Sequence, residues 1–185
     1  MDLQSLLFER RLAAGLLILS AVTFLVAGYL FTARAIWNSP AAQTDLHLRW
    51  ERGTVIAAFL MSTLGFVLLE NLLTEAGGRV WARLALAIYL VSAAVLVVAE
   101  TNFIGTRNLS YPAIVAHVVL AFLAQAAFGA ALLQVNVVAP WAGWAAGLWN
   151  IGLLIIMPIF FPRDIYFPWL HYVAPLMIGI ALLTR

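Results

Sequence analysis

Six apolar runs, each about twenty residues long, fill 12–33, 54–73, 80–99, 112–134, 141–161 and 166–184 of this 185-residue chain. A helix rising ~1.5 Å per residue needs ~20 such residues to cross a hydrocarbon layer ~30 Å thick. Backbone groups in lipid must bond within their own element, and these runs are far longer than the ~9–11 residues of a barrel strand. The expected fold is therefore all-α: a polytopic membrane protein forming one compact bundle of six transmembrane helices across 1–185. Little chain is left over for a soluble domain.

The composition points the same way. The chain is 65% hydrophobic and 10% charged, against ~25% charged in soluble proteins. A net charge of +2 is too small to attract nucleic acid. All ten basic residues are Arg and none is Lys, a bias that reads as GC-rich prokaryotic coding, so the expected location is a prokaryotic cytoplasmic (inner) membrane. With no Cys, disulfides and thiolate metal sites are excluded. Ala33-Arg34-Ala35 has the small-x-small form of a signal cleavage site. However, 12–33 exceeds the ~7–15 residues of a signal h-region, so it is expected to be a retained span.

The longest connection is 34–53. Ser39-Pro40 within it is a helix start, with Ser at the N-cap and Pro at the first helical position. The stretch 44–52 is expected to form a short interfacial helix or an extension of the second span. With the N-terminus inside, Arg10, Arg11, Arg79, Arg83 and Arg185 lie on one side. Arg34, Arg49, Arg52, Arg107 and Arg163 lie on the other, so the charge bias is even. The Arg10-Arg11 pair beside the first span favours N-inside. Trp37, Trp50, Trp81, Trp141, Trp144 and Trp169 fall near expected interfaces, where indole rings belong. Trp149 falls near the middle of its span. Ser62-Thr63-Leu64-Gly65 loosely echoes Trp149-Asn150-Ile151-Gly152, and chance likeness between apolar runs accounts for it.

Polar residues within a span need a reason. Glu70 and Arg83 flank the turn at Gly77 at similar depth, where an ion pair is the plain reading and a proton or substrate carboxylate the functional one. Glu75 and Arg79 are spaced i,i+4 as a surface pair. Gln125 and Asn150 lie about equally far from the turn near Val137, close to the midplane. As helix-to-helix glue such an amide is worth ~1 kcal/mol; the alternative is a midplane binding site. Gly143-x-x-x-Gly147, Ala126/Ala130 and Ala127/Ala131 are small-xxx-small spacings that allow close helix approach.

His117 and His171 each fall five residues after the start of a span (Pro112 and Tyr166), and both spans start from the same side. Their rings are expected roughly 8 Å below that surface. Two imidazoles at one depth on two helices suit axial ligation of a b-type haem. Ala113, Ala121 and Ala124 would leave room beside His117, and Arg107 and Arg163 stand where propionates would emerge. Glu100, Asp164, Tyr111 and Tyr166 crowd the same rim. A quinone, lipid or small-molecule pocket is a second reading. The structural alternative is that each His bonds to a carbonyl or a neighbouring helix; Pro175, four residues after His171, frees the His171 carbonyl. There is no H-E-x-x-H and no G-x-S-x-G. The midplane holds only amides and hydroxyls: Gln125, Asn150, Ser62 and Thr63.

The stretch FGAALLQVNVVAPWAGWAAGLWNIG (128–152), then FPWLHYVAPLMIGIALL (167–183), resembles a broad group of six-helix bacterial integral membrane proteins of unknown function. In that group a Gly-containing fourth helix ends at a short turn before a Pro-Trp-x-Gly-Trp start to the fifth, here Pro140-Trp141-Ala142-Gly143-Trp144. The resemblance covers the C-terminal third and implies six helices and no chemistry. With no catalytic constellation, the expected role is non-enzymatic: an accessory subunit packing against lipids, partner membrane subunits or copies of itself. The rivals are a haem-, quinone- or small-ligand-binding subunit using His117 and His171, and a small uncoupled transporter or channel.

Overall fold

The structure, a computed structural model, describes residues 3–135, 137–160 and 168–184. Its helices are α1 (Leu3–Phe31), α2 (Asp45–Glu75), α3 (Arg79–Thr106), α4 (Tyr111–Gln134), α5 (Pro140–Phe160), α6 (Pro168–His171) and α7 (Val173–Leu183). Five stretches are long and apolar enough to cross a membrane: Gln4–Ile36, which is α1 with the π turn that follows it, and α2 to α5.

Local chemistry sets the helix ends. α1 runs into the π turn (Thr32–Ile36), and a 3-10 turn (Pro40–Ala42) follows Ser39. Thr44 caps α2, its side chain accepting from His47 N at 3.2 Å, so 44–52 is an extension of the second long helix. At the other end of α2, Gly77 has φ +101°. That left-handed residue lets Gly78 N reach Leu73 O at 2.8 Å and Gly77 N reach Thr74 O at 3.2 Å. This is the paired-bond stop that glycine permits at low steric cost.

Each long helix packs on its chain neighbour, and α7 sits between α1 and α5, closing the bundle into a ring. Aromatic rings fill its centre. Phe66 stacks on Phe128 at 4.6 Å and Phe59 on Tyr89 at 5.0 Å. The backbones of α4 and α5 approach closely at glycines. A Cβ on Gly129 would stand 2.6 Å from Gly147 N and 2.8 Å from Gly143 O. The G-x-x-x-G of α5 thus receives a glycine of α4, where the sequence reading offered the alanine pairs.

The last span differs most from expectation. Instead of one helix over 166–184, the described chain breaks at Tyr172 between α6 and the eleven-residue α7. Pro175 has no N–H to give the His171 carbonyl. That carbonyl accepts instead from Gln125 Nε2 of α4 at 3.1 Å. The neighbouring Leu170 carbonyl accepts from Trp149 Nε1 of α5 at 3.0 Å, which gives the mid-span indole its role. At ~1.5 Å per residue, α7 alone falls well short of a ~30 Å layer.

Candidate functional site

The two histidines meet. His117 (α4) and His171 (α6) are both buried, with ring centroids 5.4 Å apart. Phe59 of α2 packs edge-on to His117 at 4.8 Å and stacks on His171 at 5.3 Å. Their hydrogen bonds fix which nitrogen carries a proton. Ser62 donates to the Phe59 carbonyl at 2.9 Å, so the 2.7 Å contact between Ser62 and Tyr89 has Tyr89 donating. The Tyr89 oxygen is then left to accept from His171 Nε2–H at 3.1 Å. Gln125 Nε2 lies 3.3 Å from both ring nitrogens, and only Nδ1 has a lone pair to offer it. The result is a one-way chain from Gln125 through His171, Tyr89 and Ser62 to a backbone oxygen.

His117 is held by α3. Ser92 donates to the His117 carbonyl at 2.9 Å, which leaves its oxygen to accept from Nδ1–H at 2.8 Å. The proton therefore sits on Nδ1, and Nε2 keeps its lone pair. Among the described residues every hydrogen bond of this ring is made through Nδ1. A void of about 10 Å³ adjoins both rings, lined also by Phe24, Val55, Leu96, Val118 and Tyr172. It has room for about one water molecule. Bis-histidine ligation needs iron and a flat macrocycle between nitrogens ~4 Å apart. With Phe59 against both rings and a void this small, the packed site does not fit a haem, and a quinone ring meets the same wall.

A second polar assembly stands above the first, toward the end of the bundle where α3 terminates. Arg34, in the π turn, grips Glu51 of α2 with two bonds of 2.6 and 2.8 Å. Arg52 contacts Glu51 at 2.9 Å and reaches Glu100 of α3 at 3.2 Å. Its guanidinium also lies 4.6 Å from the centre of the Phe103 ring. Glu51 and Glu100 are wholly buried and Arg52 nearly so. Two positive and two negative charges balance. Arg52 and Phe59 are seven residues apart on α2, so the charges lie ~10 Å from the histidine pair. The small void falls between the two assemblies.

Other expected residues divide. Glu70 and Arg83 meet as an ion pair at 3.5 Å, and Thr74 donates to Glu70 at 2.7 Å. Gln125 and Asn150 are both buried but do not bond each other: Gln125 turns to α6, and Asn150 donates to Ala146 O of its own helix at 2.7 Å. Gln125 Oε1 and Asn150 Oδ1 have no partner among the described residues. Arg107 pairs with Asp45 at the first residue of α2, away from the histidines. Arg163, with Asp164 and Tyr166, lies outside the described residues.

The sequence reading missed Ser92, Tyr89 and Phe59 as partners of the histidines, and missed Glu51 altogether. A signal for the charged assembly was present. Arg34, Glu51, Arg52 and Glu100 all fall near span ends on one side, and balancing their charges would have grouped them.

Fold and site together define an all-α bundle in which a neutral polar core and a balanced charge cluster join the helices. No family model, curated protein or solved structure matches this chain.

Proposed function

We propose that this is a six-span protein of a prokaryotic cytoplasmic membrane, N-terminus inside. It acts as a non-enzymatic accessory subunit, packing against partner helices or copies of itself in a larger membrane complex. The observation that carries this reading is where the polar groups and the free surface lie. Inside, histidines, hydroxyls and amide N–H groups are engaged with one another around a void of about 10 Å³. Outside, the helices present large apolar side chains. α5 is the least covered of the five and α4 the most. Trp144, Leu148, Ile151, Ile155 and Ile159 run along its exposed side. A chain of this kind does its work at its perimeter.

Crosslinking and native mass spectrometry at native expression test the reading. A stable assembly using α5 is expected, and a lone monomer overturns it. A stoichiometric Soret band in protein from haem-replete cells would overturn both this reading and the tight packing at the histidines.

Gln125 Oε1 and Asn150 Oδ1, without a partner among the described residues, favour a second reading, a small uncoupled transporter or channel with a midplane path. Proteoliposome flux that drops in Gln125→Leu and Asn150→Leu supports it, and flux indifferent to both removes it.

A further inference from the structure

A larger cavity, about 340 Å³, opens at the N-terminal end of the bundle. Leu6, Arg10, Leu72, Glu75, Ala76 and Val137 line it. Its size is within the ~300–1,000 Å³ of small-ligand sites. The walls come from the start of α1, the end of α2 and the turn before α5.

Two opposite charges share this cavity. Arg10 donates from Nε to the Leu182 carbonyl of α7 at 2.7 Å, which fixes its guanidinium between α1 and α7. Glu75 is the exposed last residue of α2. Among the described residues it makes no ion pair, not even with Arg79 one turn on. The glycine-dependent stop at Gly77 holds the Glu75 backbone in place. Trp81, Trp141 and Trp144 are exposed at the same end, and exposed indoles mark the headgroup layer of a bilayer.

A fixed cation and a carboxylate facing one space at headgroup depth, with Leu6 and Leu72 beside them, match a zwitterion that trails acyl chains. A phosphate is the natural partner of a guanidinium. A primary ammonium brings three donors to a carboxylate, whereas a quaternary ammonium brings none and a purely anionic headgroup is repelled by Glu75. We propose that this cavity binds an aminophospholipid, its phosphate on Arg10 and its primary ammonium on Glu75. The proposal rests on the bundle lying in a bilayer and does not depend on protein partners.

Native mass spectrometry of the delipidated full chain, titrated with phosphatidylethanolamine, phosphatidylcholine and phosphatidylglycerol of matched acyl chains, tests it. Phosphatidylethanolamine should bind about fivefold more tightly than the other two, the worth of one charge contact at headgroup level. Glu75→Gln, a change at an exposed helix end that leaves the fold intact, should erase that preference. Arg10→Gln should weaken all three lipids. Equal affinities in the wild type, or a preference that survives Glu75→Gln, overturns the proposal. A monomer is enough for the measurement, so failure here leaves the accessory role standing, and the absence of partners leaves this site standing.

Discussion

The two polar assemblies share α2 and α3 but use different chemistry. Around His171 every group is neutral, and each donor meets one acceptor across α2, α3, α4 and α6. Around Arg52 every group is charged, and the cluster ties the π turn to α2 and α3. Depth explains the division. Removing an ion from water costs several kcal/mol even after relaxation, so charge is confined toward the two ends of the bundle. The interior uses hydroxyl, imidazole and amide groups, whose interhelical bonds contribute only ~0.6–1.7 kcal/mol each. The neutral assembly specifies how helices meet at little electrostatic cost. The charged one makes a strong joint that fails badly when incomplete.

Arg52→Ala should produce the largest effect. It leaves Glu100 buried without its cation, a loss of about 3–5 kcal/mol, read as a fall in folded fraction during denaturant titration in detergent. The double variant Arg52→Met, Glu100→Leu should recover most of that loss. If the double is as unstable as the single, the charges are not a self-contained joint. Gly129→Ala, outside both assemblies, sets a purely steric scale. Its Cβ would meet the α5 backbone at 2.6 Å, and overpacking of this kind costs about 1–3 kcal/mol in the same titration. Tyr89→Phe breaks the neutral chain at its centre. A loss near 1 kcal/mol is expected, and a loss as large as that of Arg52→Ala would erase the distinction drawn between the assemblies. The smallest effect belongs to Asp45→Asn. Its partner Arg107 is about half exposed, and exposed pairs contribute ~0–1 kcal/mol, less as salt is added. Superimposable unfolding curves at high salt are the expected result.

Much of the helical plan was legible because apolar length and lipid thickness are directly related. The five long helices fall where hydropathy put them, and 44–52 took one of its two expected forms. Depth matching also brought His117 and His171 to one level and paired Glu70 with Arg83. It could not report rotation about each helix axis. Gln125 matched Asn150 in depth, yet its amide faces α6 and serves the carbonyl that Pro175 leaves free. Pro175, three residues after the Tyr172 break, was visible in the sequence as the residue that frees the His171 carbonyl. The helix that would supply the replacement donor was not. Arg107 followed the pull of a nearby carboxylate, Asp45, which a search centred on the histidines had no reason to weigh.

The proline break bears on how the molecule is made. α6 and α7 follow α1 to α5 along the chain, and one of their carbonyls has no donor within its own helix. Gln125 on α4 supplies one bond and Trp149 on α5 another, so the C-terminal segment has a stable seat only after those two helices are in register. Closure of the ring by α7 should therefore follow the packing of α4 on α5. In Gln125→Leu this step should stall, leaving α6 and α7 protease-sensitive while α1 to α5 stay protected.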